Sequence, residues 1–206
     1  MIEIFKNKFI ILFLIFLYSC ASAPVVQKHN EPFPEKIALL PFDNMSVDID
    51  ASDIMENLIE SYIDSQGFDL QDMKITREKL NLIGITDGGQ LNSQTPLELA
   101  NLLGVDAVLY GEVREFSNKN IGFYYSRTVE VYVKLVDPKT SRIIWETTKR
   151  KSNSKLGLSK EAALNNLKSG YAQKAFETLM KSQLKEEADE VARMIAKELS
   201  KFRRNW

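Results

Sequence analysis

The chain of 206 residues is short of cysteine, histidine and any surplus of charge. Each shortage removes a class of function. Its single cysteine, Cys20, allows no disulfide within the chain, so packing must stabilise the fold. Its single histidine, His29, lies in the stretch Ala21 to Pro34, which carries Pro24, Pro32 and Pro34 and no apolar period. Such a stretch reads as an extended tether, and a tether does not hold an imidazole in place for catalysis or metal binding. The 27 basic and 28 acidic residues give a net charge of −1, without the concentrated basic face that nucleic-acid binding needs. Glycine-rich loops of the dinucleotide or P-loop type are missing. With no nucleophile–base pair either, the sequence predicts no enzyme, no cofactor and no metal. Nor does any apolar run reach the ~20 residues of a membrane-spanning helix.

What is present begins at the amino terminus. Lys6 and Lys8 precede Phe9 to Leu17, a run with no charge and no glycine. That is the length and order of a secretory signal. The run ends in Leu17-Tyr18-Ser19-Cys20. This resembles the lipobox of bacterial lipoproteins, with Leu17 and Ser19 in the matching places and Tyr18 where a small residue is common. The resemblance implies a diacylglycerol on the Cys20 thiol, cleavage before Cys20 and acylation of the new amino terminus. One acyl chain binds a membrane marginally, whereas two or more hold firmly. Ala21 stands where an aspartate often marks inner-membrane retention, so the resemblance implies the outer membrane, with the domain facing the periplasm.

The resulting organisation is a signal peptide at 1–19, a lipidated tether at 20–34, a domain at 35–150 and a helical carboxy-terminal segment at 151–206. Losing the first 19 residues, with Glu3, Lys6 and Lys8, leaves 187 residues at net −2. That is enough for one domain with a real core.

Within the domain, Lys36 to Phe42 is a short apolar run closed by Pro41, which fits a buried strand. Asp43 to Asp53 reads as a polar loop, with Ser52 or Asp53 capping the next helix. That helix carries Ile54, Leu58, Ile59, Tyr62 and Ile63 at helical spacing and stops at Gly67. A short strand at Phe68 to Leu70 and a helix from Thr76 to Gly84, with Leu80 and Ile83 on one face, are expected next. Gly84 to Thr95 reads as a loop. Thr95-Pro96-Leu97-Glu98 then has the cap, the first-turn proline and the glutamate of a helix start, and Gly104 ends that helix. Val105 to Phe116 is the strongest strand, with Val105, Ala107, Leu109 and Val113 facing one side. Phe123 to Val136 alternates, with Val129, Val131, Val133 and Leu135 opposite Thr128, Glu130, Tyr132 and Lys134. A turn at Asp137 to Arg142 leads to a partner strand at Ile143 to Thr148. Lys149 to Ser159 reads as a basic connector. Two helical patterns follow, the first kinked at Gly170, the second striped by Ala188, Val191, Ile195, Leu199 and Phe202. The fold class is α/β (α+β): a mixed sheet with helices packed on it, a three-stranded antiparallel meander in its second half and a helical carboxy terminus.

Three patches merit a functional reading. Asp43, Asp48, Asp50 and Asp53 place carboxylates as at the start of a calcium loop, but the glycine and the distant glutamate are out of register. A solvated loop with a helix cap accounts for them. Asp87-Gly88-Gly89 reads as a turn. Tyr124 and Tyr125 lie near a loop, where aromatics serve either the strand or recognition.

Three stretches together resemble a known group: Ile37 to Phe42, Leu103 to Val113, and the hairpin Val136 to Glu146. The domain is similar to the periplasmic domain shared by the curli secretion lipoprotein CsgG, the amino-terminal domain of TolB and the penicillin-binding-protein activator LpoB. It most resembles outer-membrane lipoproteins of the Neisseria vaccine-candidate type. The resemblance covers residues 36 to 148 and implies a non-enzymatic domain that binds or organises other envelope proteins, as an accessory of secretion or surface assembly, and that can form homo-oligomers. It also implies two alternatives. One is regulation of a peptidoglycan synthase in the manner of LpoB, although a tether of ~14 residues reaches only about 50 Å. The other is a pore of the CsgG kind, for which Phe123 to Val136 is long enough but its partner strands would have to leave the domain sheet.

Overall fold

In this computed structural model the described residues are 32–121, 124–156 and 170–206. Those from Phe33 onward belong to the unit Phe33–Trp206. Cys20, His29 and the signal segment lie outside the described residues.

Apolar strands need cover on both faces, and the chain supplies it from helices on either side of one sheet. β1 (Lys36–Leu39) runs into β2 (Asp43–Asn44), then α1 (Ala51–Ser65), β3 (Asp69–Gln71) and α2 (Met73–Leu82). A 3-10 turn at Gly88–Ser93 and α3 (Pro96–Leu103) lead to three long strands, β4 (Ala107–Ile121), β5 (Tyr124–Asp137) and β6 (Arg142–Leu156). α4 (Gly170–Arg204) closes the chain. The sheet order is β3-β1-β4-β5-β6, with β2 also paired to β4. β1 is parallel to β3 and β4, and β2 to β4, whereas β4, β5 and β6 form an antiparallel meander.

Strand alternation sorts the core into two layers. Ile37, Leu39, Leu109, Val131, Val133 and Leu135 face α1 and α4. Ala38, Leu40, Val108 and Val136 face α2, α3 and the 3-10 turn. α4 contributes Ala188, Val191, Ile195 and Leu199, all fully buried. Its flank is polar. Arg127 and Glu187 pair at 3.0 Å, Glu187 also accepts from Asn153, Lys151 pairs with Glu190 at 2.7 Å, and Lys149 pairs with Glu198. At the far end of α4, Phe33, Phe68, Phe202 and Trp206 form an edge-to-face cluster. There Arg203 donates to the carbonyls of Gln66 and Gly67 at 2.8 Å and stacks over Phe68.

A buried knot fixes the bend after β1. Glu56, 2% exposed, accepts from the Phe42 N–H at 2.8 Å and pairs with Arg77. Arg77 also reaches Asp53 at 2.6 Å, which ties α1 to α2. Gly88 lies so close to the backbone of Phe42 and Asp43 that a Cβ there would overlap it. Burial pushes the Glu56 carboxyl up, against the pull of the Phe42 N–H and Arg77.

The structure moves several expected boundaries. α1 starts at Ala51, with Asp50 at its N-cap and no side-chain cap, so neither Ser52 nor Asp53 caps it. β3 begins one residue later than Phe68. α2 begins at Met73 because Asp72 accepts from the Lys74 N–H at 2.7 Å, and Ile83 falls past its end, exposed. Val105 packs against the α3 layer, not beside Ala107. The expected connector at Lys149 to Ser159 is strand through Leu156. Its inward residues are polar, which hid the strand pattern, because they answer the acids of α4 and not an apolar surface. From Gly170 onward the two carboxy-terminal patterns are one helix with no breaker between them as far as Arg204; the kink expected at Gly170 falls at the edge of the described residues. The part of the first pattern before Gly170 lies outside the described residues.

Ile195→Ala should lower stability by about 2–5 kcal/mol, because it opens a cavity between α4 and the sheet; urea unfolding measures it. Glu56→Ala should cost about 1–3 kcal/mol by orphaning the Phe42 N–H. Glu56→Gln keeps an acceptor and removes the charge. Since the folded-state value of Glu56 is raised, its titration withdraws stability as pH rises from the unfolded value of 4.5 through the folded one. The stability of Glu56→Gln relative to wild type should therefore climb from acid to neutral pH; a constant difference would refute the cost of burying the charge.

Candidate interaction surface

Among the described residues, no group of three or more acids, cysteines or histidines is placed to hold a metal ion. Asp53 is taken up by Arg77, and Asp48 accepts from the Asp50 N–H at 3.0 Å. Asp87 accepts from the Gly89 N–H at 2.9 Å, as a cap of the 3-10 turn. Tyr124 and Tyr125 open β5 as strand residues; their side chains lie outside the described ones. Among the described residues no helix is long and apolar enough to cross a membrane.

The face of the meander turned away from α4 carries a charged lattice. Arg114 donates to Glu112 at 2.7 Å and stacks over Tyr132, whose hydroxyl donates to Glu146 at 2.5 Å. Glu115 holds Lys119 at 3.0 Å and Arg150 at 3.1 Å, and Arg150 also reaches Glu130 at 2.7 Å. Lys134 lies over Tyr110. Burial, then the bond to Glu146, pushes the Tyr132 phenol up to about 12, and burial takes Tyr110 to about 12. Both phenols therefore stay protonated at neutral pH, and these charges answer one another across the strands.

Two other features point outward. The first is the β2–α1 loop. Met45, Val47 and Ile49 are 64%, 91% and 89% exposed. The loop is held firmly, since Asn44 Nδ2 donates to the Asp48 carbonyl at 2.8 Å, Ser46 Oγ to Asn44 Oδ1 at 2.7 Å, and the Ser46 N–H to the same atom at 3.0 Å. Three large apolar side chains on a braced loop form an exposed apolar patch. In sequence this stretch reads as polar; the apolar alternation of 45, 47 and 49, without a partner strand, is the signal that reading misses.

The second is an open groove of about 580 Å³ between β6 and α4. Trp145, Met194 and Phe202 line it with Lys149, Lys197, Lys201, Glu146, Glu198 and Asn205. Lys149 is held by Glu198, while Lys197 and Lys201 are exposed. Only the spacing of Lys197 and Lys201, one helical turn apart, hints at it in the sequence.

The sequence matches the family profile described as "Putative lipoprotein GNA1162-like" over residues 27–204. Comparison with curated proteins gave no match. Among solved structures the chain is similar to lipoprotein GNA1162 from Neisseria meningitidis, at 21% identity, covering 72% of this chain and 97% of that one, with a TM-score of 0.55. It is similar to the hypothetical protein CT253 from Chlamydia trachomatis, at 16% identity, covering 83% and 98%, with a TM-score of 0.50. It is also similar to the LpoB C-terminal domain from Salmonella enterica, at 14% identity, covering 59% and 85%, with a TM-score of 0.44. At these identities the first two likenesses speak for the fold alone. The family profile, by contrast, spans most of the chain, and it agrees with the resemblance carried by Ile37 to Phe42, Leu103 to Val113 and Val136 to Glu146. The chain belongs to the GNA1162-like lipoprotein family.

Proposed function

We propose that this is a non-enzymatic lipoprotein of the outer membrane, anchored through lipid on Cys20, whose periplasmic domain binds or organises other envelope proteins. The observation that carries the reading is family membership together with Leu17-Tyr18-Ser19-Cys20 placed directly after a signal-length apolar run. The domain supports it by what it presents outward: a braced apolar loop, an open groove and a charged sheet face. Exposed apolar patches of this kind mark contact with other macromolecules. On this reading residues 20–34 are the tether, and they allow a reach of roughly 50 Å at 3.3–3.6 Å per residue. Partners are then other proteins close to the same membrane.

Labelling of growing cells with a tagged fatty acid tests the anchor. The wild-type protein should take up the label and fractionate with the outer membrane. Cys20→Ala should abolish labelling; label retained on that variant would overturn the lipid assignment. Cross-linking in the intact envelope, followed by identification of the products, tests the role of the domain: envelope proteins should be recovered with the wild type.

A further inference from the structure

The apolar loop and the groove lie at opposite edges of one sheet. The loop leaves β2, which at that level is the sheet's outer strand beside β4; the groove lies against β6, the strand at the other edge. The register sets them at neighbouring heights. Asn44 is opposite Val113, Val113 opposite Val131, and Val131 opposite Lys149, which lines the groove. From β2 to β6 there are three strand spacings, about 14 Å at the usual 4.7–4.9 Å. Within one molecule the braced loop cannot swing across the sheet to fill the groove.

Their chemistry matches. The loop offers Val47 and Ile49 with Asp48 and Asp50 beside them. The groove offers the apolar surfaces of Trp145, Met194 and Phe202, with Lys197 and Lys201 on its helical rim; its two acids are already engaged, Glu198 by Lys149 and Glu146 by the Tyr132 hydroxyl. Among the described residues neither lysine is in an ion pair, and both are exposed. Apolar anchors entering an apolar cleft, with opposite charges around the rim, are the usual anatomy of a protein interface.

We infer that the occupant of the groove is the Met45–Ile49 loop of a second copy of this chain. Because loop and groove are different patches at opposite edges, the contact is heterologous: each subunit gives its loop to one neighbour and its groove to the other. Such contacts propagate into closed rings or open filaments, not two-fold dimers. The inference deepens the reading of the domain as an interaction module and is independent of lipid on Cys20.

The test uses the unlipidated chain from Ala21 to Trp206, since the described core lies wholly within Phe33–Trp206. Sedimentation velocity should show concentration-dependent assembly of the wild type. A loop variant, Val47→Asp with Ile49→Asp, and a groove variant, Lys197→Glu with Lys201→Glu, should each self-associate at least about tenfold more weakly. All four positions are exposed, and an unchanged near-ultraviolet circular dichroism spectrum checks that the fold persists. Mixing the two variants is decisive. The groove of the loop variant and the loop of the groove variant remain intact, so the mixture should give one heterodimer and stop there. A wild type that stays monomeric, variants that assemble normally, or a mixture that gives no heterodimer would each overturn the proposal. So would loop-dependent binding to phosphatidylglycerol vesicles by a monomeric wild type, which would assign the loop to a lipid surface. Failure of Cys20 to take up lipid would leave these outcomes unchanged, so the two readings fail separately.

Discussion

The seam between α4 and the sheet is the contact on which the rest of the structure depends. It joins the last described helix to strands from the middle of the chain through two kinds of interaction. Along its centre, Ala188, Val191, Ile195 and Leu199 remove apolar surface from water against Val129, Val131, Val133 and Leu135. Along its flank, Glu187, Glu190 and Glu198 meet Arg127, Lys151 and Lys149. The apolar stripe supplies most of the driving force, since partly exposed ion pairs are worth little and a buried one must first offset its desolvation. The pairs do something else. They give β6 inward partners that an apolar helix face would not, and so extend the meander to Leu156. Glu187 is fully buried, so its pairing with Arg127 and Asn153 sets which height of the helix lies against which height of the sheet.

The second constraint is the Glu56 knot. A carboxylate kept among apolar residues is costly unless its oxygens are satisfied, and here one serves the Phe42 N–H while the other meets Arg77. The Phe42 backbone is thereby fixed just before β2, with Gly88 pressed against it from the other layer. That closeness helps hold the β2–α1 loop in a single shape. A loop that keeps Val47 and Ile49 in water does so against the hydrophobic effect, and its net of Asn44 and Ser46 bonds prevents collapse onto the surface.

Much of the fold was legible in the sequence where one physical rule acted alone. Val129, Val131, Val133 and Leu135 obey strict alternation, and they line the core as alternation demands. Thr95, Pro96 and Glu98 form the capping box their order predicts. Reading failed where two rules competed. Lys149, Lys151 and Asn153 look like a solvated connector, because their partners lie more than 30 residues away on α4. Asp53 looks like a cap but is drawn to Arg77. The loop at 45–49 hid its apolar residues among aspartates and serines. The groove left no trace in the sequence beyond the Lys197–Lys201 spacing, since Trp145 and Phe202 each satisfy a local pattern and only the tertiary fold brings them together.

The aromatic cluster at the end of α4 has a mechanical consequence. Phe33 opens the described unit and packs edge-to-face on Phe68, Phe202 and Trp206, so the two ends of the unit are fastened at one place. Tension applied to the chain ahead of Phe33 meets this clasp before it reaches β1. The load is divided between the carboxy-terminal turn of α4 and the residues just after α1, which Arg203 grips through the Gln66 and Gly67 carbonyls. A pull on the amino terminus of the domain is therefore met first by packed rings, ahead of the interior strand β1.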